Sequence, residues 1–173
     1  LTQGEPALAD TEPELAAYPS NLTVTFGLGP RVLADLVAPG RGPALSPLPA
    51  FGTDRLQPEW GQTDVAIQVC GDDETTVAHA RRMLLKDARS FATVRWVQHG
   101  FRRARGSEAA GTTMRNVMGQ VDGTVNPVEA EADFADVVWA AEPEAFAGGT
   151  FMVVRRIRAH LDAWDRVDRA GRE

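Results

Sequence analysis

The stretch VAIQVCGDDETTVAHARRMLLKDA, residues 65–88, decides the predicted fold. Apolar side chains alternate over residues 65–70, which is the period of a half-buried strand. Residues 71–73, Gly-Asp-Asp, supply a helix start. From Glu74 to about Arg89 apolar residues recur at spacings of three and four, which predicts an amphipathic helix lying on a sheet. The apolar side of this helix is predicted to carry Val77, Ala80, Leu84 and Ala88.

The flanking segments extend the pattern. Residues 22–26 alternate apolar side chains with threonine and predict an earlier strand, and Pro30 suits the first turn of a short helix over 31–36. A third strand is predicted within residues 92–98. Strand, strand, helix, strand in this order matches a ferredoxin-like unit of the dimeric α+β barrel type, an antiparallel sheet with helices on one face. Its opening strand and helix are expected before Leu1.

The rest of the chain predicts a further, incomplete unit. Residues 38–62 are rich in Pro and Gly but hold enough apolar side chains to form a long ordered loop. Residues 134–141 suggest a short strand or helical turn, residues 151–157 a strongly buried strand, and residues 155–165 lead into a helix. We therefore expect three parts: a first ferredoxin-like unit over 1–110, a loop and connection over 111–147, and the start of a second similar unit over 148–173.

An irregular loop is predicted for GTTMRNVMGQVDGTVNP, residues 111–127. Gly119 and Gly123 can adopt positive φ angles, and Pro127 biases Asn126 toward an extended conformation. Asp122 then lies at a loop tip. One interpretation is turn chemistry, in which the carboxylate bonds its own backbone. The other is that the glycines let the backbone approach a large flat ligand, with the acid as proton donor or acceptor above it.

Composition limits the possible functions. The net charge of −6, from 24 acids against 18 bases, argues against a nucleic-acid partner, because phosphate binding needs clustered Lys and Arg. No apolar run of about 18 residues predicts a membrane span, and residues 1–5 lack the features of a signal peptide. The lone Cys70 excludes an internal disulfide. The acids of residues 10–14 are interpreted as a solvated face.

The sequence GQVDGTVNP, residues 119–127, preceded by RNVM, closely resembles the GxxDGTxNP signature of dye-decolorizing peroxidases, haem enzymes related to bacterial deferrochelatase. Two further stretches agree in order and spacing: NLTVTFGLG at residues 21–29, and GGTFMVVRRIR at residues 148–158 running into HLDAWD at 160–165. The resemblance covers almost the whole chain. It favours a functional Asp122 over turn chemistry alone.

The resemblance implies a site for haem b. Asp122 would be the catalytic acid–base group, taking a proton from hydrogen peroxide and returning it to the outer oxygen as water leaves. Asp122 and the backbone of Gly123, Thr124 and Val125 would face the cofactor, with the three backbone positions along the porphyrin edge. Hydrogen peroxide and an organic reductant are the expected small-molecule partners.

No metal ligand is predicted within this chain. In the family that the chain resembles, the iron-binding histidine and a distal arginine follow the strand at residues 151–157 well downstream. His79, at the polar edge of its helix, His99, at the end of a strand, and His160 are poor substitutes, since a lone histidine is usually structural or solvated. A start at Leu1 also suggests a processed or excised chain. We therefore expect the remaining carboxy-terminal half of a peroxidase as a partner, in the same or a second chain, and little activity without it.

Two classes of function remain open at this point. The first is a peroxidase that oxidises dyes and phenolic compounds, or a related protein that releases iron from haem. The second is a non-catalytic ferredoxin-like module that binds haem or another hydrophobic ligand, or serves in assembly. The resemblance further implies export to the periplasm or extracellular space, with a cytoplasmic location left open, and a homo-oligomer as one possible assembly.

Overall fold

The computed structural model describes residues 1–37, 42, 45–141, 143 and 146–172. They group into two compact units, Leu1–Arg105 and Gly106–Glu173. The division falls five residues before the boundary expected at residue 110. The predicted loop over residues 38–62 lies partly outside the described residues, which omit 38–41, 43 and 44.

The first unit contains an antiparallel pair of strands, β1 (Thr23–Leu28) and β2 (Val65–Cys70). Both strands lie where the alternating patterns predicted them. Val24 pairs with Val69, and Phe26 pairs with Ile67. Because paired residues of an antiparallel ladder point to the same side, the β-branched and aromatic side chains collect on one face.

Helices follow each strand. Helix α1 (Pro30–Leu36) begins with proline in its first turn, as predicted, and α2 (Glu74–Ala88) follows β2 directly. Short 3-10 helices cover Pro13–Ala16 and Pro58–Trp60. This order of antiparallel strands and helices confirms the predicted α+β class.

The buried face of α2 is rotated from the predicted one. The buried side chains are Thr76, His79, Ala80 and Met83, so that only Ala80 was assigned correctly. Two polar contacts account for the rotation: the Thr76 hydroxyl donates to the Tyr18 carbonyl at 3.1 Å, and His79 Nε2 lies 2.8 Å from Asp10 Oδ2. The periodicity of apolar residues contains no information about such polar contacts. Here these contacts, rather than the apolar pattern, determine which face of α2 is buried.

The third predicted strand of this unit is wrong. Residues 92–98 have no strand assignment and are attached through side chains instead. Arg95 donates to the carbonyls of Gln62 and Pro58 at 2.6 Å each, and Trp96 Nε1 donates to the Gly61 carbonyl at 3.1 Å. A strand requires a neighbour that pairs with its backbone, and these contacts attach the segment to a 3-10 turn, which offers no such ladder.

Among the residues of the second unit that the structure describes there are three short α-helices, α3 (Phe134–Val138), α4 (Leu161–Trp164) and α5 (Arg169–Arg172). The prediction of a buried strand over residues 151–157 is wrong, because these residues form no strand and are exposed. Phe151 and Val153 are 58% and 61% exposed, and no described residue forms a ladder with this segment. Without a neighbouring strand, apolar β-branched side chains do not produce sheet structure.

Among the residues that the structure describes, the longest helix is α2 with 15 residues, and no helix there is both long and apolar enough to cross a bilayer.

A buried polar contact fastens the amino-terminal segment to α2. The side chains of His79 and Asp10 are only 3% and 1% exposed. On the same side of the helix, Arg82 pairs with Glu12, and Lys86 donates to the carbonyl of Ala9. The interpretation of residues 10–14 as a solvated face is therefore wrong for Asp10, and His79 does not lie at a polar edge.

Replacing His79 tests this contact. His79→Ala leaves the buried Asp10 carboxylate without its side-chain partner, with the Glu12 N–H at 3.0 Å still donating to it. We expect a loss of about 3 kcal/mol in the free energy of unfolding. His99→Ala, at an exposed position, is the matched control and should change stability by less than about 0.5 kcal/mol. Urea denaturation followed by circular dichroism measures both. Equal effects for the two variants would show that the buried contact contributes nothing specific.

A second prediction concerns the first turn of α2. The Asp73 carboxylate accepts from the Thr76 backbone N–H at 2.8 Å, and this hydrogen bond, with that of the Thr76 hydroxyl, lowers the pKa of Asp73 below its ordinary value of 3.8. At neutral pH, Asp73→Ala should lower Tm by roughly 2–4 °C through loss of the cap. Asp87→Ala, which removes an exposed acid near the other end of α2, should not.

The pH dependence of that difference has a definite sign. A carboxylate with a lowered folded-state pKa contributes stability above its unfolded pKa and loses it as pH falls through the folded pKa. The Tm gap between the protein and Asp73→Ala should therefore narrow in acid, below about pH 3.8. Thermal unfolding at neutral and acidic pH measures it; a gap that stays constant would mean that the charged form of Asp73 has no part in capping.

Candidate functional site

The stretch around Asp122 forms a small hairpin within the second unit. Arg115 and Val121 make an antiparallel bridge. Beside it, the N–H of Asp122 donates to the Met114 carbonyl at 2.9 Å, and the N–H of Asn116 donates to the Gln120 carbonyl at 2.9 Å. The predicted irregular loop therefore contains a short paired segment, which holds the backbone of Asp122 in a defined position.

Glycines shape the two ends of this hairpin. Gly119 has a φ of +77°, and its N–H donates to the Asn116 carbonyl at 2.9 Å, which closes the turn. Gly123 has a φ of +113° directly after the acid, and Asn126 N–H donates to its carbonyl at 3.2 Å. A Cβ at Gly123 would lie 2.8 Å from Asn126 Nδ2. The positive φ angles predicted at both glycines are confirmed.

The carboxylate of Asp122 is exposed to solvent. Its described hydrogen bond comes from a side chain, Asn116 Nδ2, at 3.3 Å from Asp122 Oδ2. Turn chemistry, in which the Asp122 carboxylate would accept from its own backbone, does not match this side-chain contact with Asn116. The acid is therefore presented outward with most of its hydrogen-bonding capacity available to a ligand.

The residues expected to face a cofactor lie next to the acid. Gly123 is half-buried, while Thr124 is exposed and Val125 is 94% exposed. The segment offers an outward carboxylate, a glycine without a side chain, a polar threonine and an exposed valine. The glycine and the valine suit the face of a flat, mostly apolar ligand such as a porphyrin. These residues are compatible with one face of a porphyrin, and their role toward a haem stays a prediction.

Asp122 does not lie in a closed cavity. An open depression of about 400 Å³ occurs beside the hairpin, and its lining includes Arg115, Gly119, Trp164 and Arg172 but not Asp122. Trp164 Nε1 donates to the Met118 carbonyl at 3.0 Å, and the Arg172 guanidinium lies 5.5 Å from the Trp164 ring centre. The residues that line this depression therefore contact the turn of the hairpin and not the carboxylate of Asp122.

The histidines occupy three different settings. His79 is buried against Asp10, and His99 Nε2 lies 2.8 Å from Arg81 Nη1. His160 precedes α4 and lines an open depression of about 370 Å³. That depression and the one beside the hairpin share no lining residue. The expectation that the iron ligand comes from outside this chain stays a prediction.

Sequence reasoning missed one cluster of metal-ligand types. Asp10, Glu12 and His79 offer donor atoms within 4.8 Å of one another. Glu12 already accepts from Arg82 and from the Thr11 hydroxyl, and buried His79 Nδ1 has no described partner that would orient the ring for a metal. The cluster therefore acts as the fastening described above. Its only sequence signal is the i, i+2 acid pair, which is too common to be specific.

The fold and the hairpin define the class of protein, an α+β protein of ferredoxin-like type with an outward acid at a glycine-flanked turn. The family models "Dyp-type peroxidase, N-terminal" and "Dyp-type peroxidase, C-terminal" match residues 1–102 and 113–173. The chain belongs to the Dyp-type peroxidase family.

Solved structures and curated relatives agree with this assignment. A DyP-type peroxidase from Cellulomonas bogoriensis superposes with a TM-score of 0.90 at 54% identity, covering 99% of this chain and 48% of that one. Ferric DtpA from Streptomyces lividans gives a TM-score of 0.85 at 42% identity, covering 95% and 45%. A dye-decolorizing peroxidase of Thermobifida fusca is 38% identical over 96% of this chain and 40% of its own length.

A protein named deferrochelatase from Yersinia pestis is 35% identical, over 86% of this chain and 36% of its own length. The chain thus spans less than half the length of the relatives that it matches. The predicted resemblance and the predicted ferredoxin-like fold are both confirmed.

Gly123→Ala tests the backbone requirement behind the acid. The new Cβ meets the Asn126 amide and the residue must keep a positive φ, so we expect a loss of roughly 1–3 kcal/mol in the free energy of unfolding. Gly100→Ala, with no atom within 4 Å of the added carbon, is the control. Urea denaturation compares the two; a stability for Gly123→Ala equal to that of the control would show that the loop accepts a side chain here.

Proposed function

We propose that this chain carries the distal part of a haem-dependent peroxidase that uses hydrogen peroxide to oxidise dyes and phenolic compounds. The observation that carries the proposal is the outward carboxylate of Asp122 at the end of a paired hairpin, between two glycines with positive φ. Membership of the Dyp-type peroxidase family supports it.

The cofactor proposed is haem b. Its iron, when bound, supplies the redox chemistry toward peroxide. The half-buried Gly123 would let the backbone come close to the porphyrin edge, and Thr124 and Val125 would continue along it. Relatives described as ferric and as an oxyferrous complex support an iron centre in this family. We assign none of His79, His99 and His160 as the iron ligand.

Asp122 performs the proton transfers. Its carboxylate accepts a proton from hydrogen peroxide and delivers it to the oxygen that departs as water, so that the proton count of the residue is restored. A carboxylate with one described hydrogen bond, from Asn116, keeps the acceptor positions that both transfers require. Because its backbone is held by Met114, the acid meets successive peroxide molecules in the same geometry.

Iron release from haem is the second candidate, because relatives at 31–35% identity are named deferrochelatase. The two functions leave different products. Peroxidase activity consumes peroxide and bleaches a dye while the Soret band persists, whereas iron release yields metal-free porphyrin. A non-catalytic haem-binding module would do neither. We also propose export to the periplasm or extracellular space, which a secretion assay tests. The organic reductant is identified by measuring activity on a panel of dyes and phenolic compounds.

Replacing Asp122 tests the proposed role on the haem-loaded protein that includes the expected carboxy-terminal half of the peroxidase. Asp122→Asn removes the proton acceptor but keeps the size of the side chain, and we expect the rate constant for reaction with hydrogen peroxide to fall by about 100-fold or more. Stopped-flow absorbance at the Soret band measures it. Asp136→Asn, at an exposed position on α3, is the control. Unchanged peroxide kinetics in Asp122→Asn, with the haem retained, would reject the role of Asp122.

A further inference from the structure

We infer that Asn116 is a positioning residue for Asp122, holding the carboxylate in the orientation needed for proton transfer. The inference rests on the proposed function of Asp122. Asn116 lies six residues before the acid, on the opposite side of the hairpin, and its side-chain amide contacts Asp122 Oδ2. It touches the acid rather than the reacting atoms.

The hydrogen bonds of Asn116 fix its own position first. Its backbone N–H donates to the Gln120 carbonyl, and its backbone carbonyl accepts from Gly119, both at 2.9 Å. Its side-chain Oδ1 accepts from the N–H of Met118 at 2.9 Å and from the N–H of Gln120 at 3.2 Å. Four bonds from one residue therefore cross the turn, so that the asparagine is held more firmly than an ordinary exposed side chain.

These bonds also determine which way the amide faces. The two backbone N–H groups are donors and require an oxygen, so the carbonyl end of the side chain must point into the turn. The NH₂ group is left facing the carboxylate of Asp122, which only accepts when ionised. The donor to Asp122 is thus dictated by the turn and is present before any ligand arrives.

The distance between Asn116 Nδ2 and Asp122 Oδ2 suits a contact that orients the carboxylate rather than one that neutralises its charge. At 3.3 Å the bond from Nδ2 is long for N–H···O, so it biases the orientation of the carboxylate without occupying it fully. The second oxygen and the remaining lone pairs stay available to peroxide. With the backbone of Asp122 held by Met114 and one oxygen held by Asn116, rotation of the side chain is restricted at both ends.

Asn116→Asp isolates this function. The replacement keeps an oxygen that accepts from Met118 and Gln120 but turns the donor toward Asp122 into a second acceptor, so that the two carboxylates repel each other. On the haem-loaded protein we expect the rate constant for reaction with hydrogen peroxide to fall roughly tenfold to 100-fold, with haem content retained. Asn116→Ala removes the donor to Asp122 without adding charge, and it also removes the oxygen that accepts from Met118 and Gln120. It should reduce the rate constant in the same direction and covers the case in which Asn116→Asp fails to fold.

A matched control exists in the first unit. Asn21 Nδ2 donates to Asp72 Oδ2 at 2.5 Å, so Asn21→Asp creates the same kind of carboxylate pair outside the proposed site. Its peroxide kinetics should equal those of the unaltered protein.

A double-mutant cycle separates positioning from general damage to the loop. If Asn116 acts through Asp122, Asn116→Ala causes no further loss of peroxide reactivity in the Asp122→Asn background. Independent, multiplicative losses would overturn the inference, as would normal peroxide kinetics in both Asn116 variants while Asp122→Asn is slow. Normal kinetics in Asp122→Asn itself would instead reject the function on which the inference rests.

Discussion

The backbone pairing between residues 114–116 and 120–122 is the constraint on which the candidate site depends. Two hydrogen bonds of 2.9 Å, from Asp122 to Met114 and from Asn116 to Gln120, place the acid at the end of a hairpin. Glycines on either side of that pairing provide the positive φ angles that its turns require. A carboxylate on an unpaired loop of the same composition would sample many positions, and the proposed proton transfer tolerates few of them.

The first unit is held together by contacts of a different kind. Its antiparallel strands leave Phe26 61% exposed, so the sheet alone buries little. Burial is concentrated where α2 meets the amino-terminal segment, through Ala16, Ala80 and Met83 together with the His79–Asp10 contact. The buried His79–Asp10 pair adds specificity to this small apolar core, because a buried Asp10 carboxylate that loses its histidine partner is costly.

The features that the sequence predicted correctly are those that local patterns of residues determine. Strands β1 and β2, helix α2 and the glycine turns around Asp122 follow from alternation, three-and-four spacing and Gly chemistry, all of which act within a few residues. The rotation of α2 depends on a bond between residues 69 apart in the chain, His79 and Asp10, which no local window contains. Residues 92–98 and 151–157 read as strands because their apolar side chains favour one, but pairing partners are a property of the fold.

The same distinction applies to the site. The motif identified Asp122, and its glycines predicted an irregular loop with the acid at its tip. The asparagine that holds the carboxylate is visible only from its four hydrogen bonds across the turn. The outward direction of the acid has a further physical consequence. A carboxylate in bulk water has no preference for peroxide over solvent, so the proposed chemistry requires a surface that excludes water above Asp122. Val125, three residues after the acid and 94% exposed, is apolar surface of the kind that such a covering would bury.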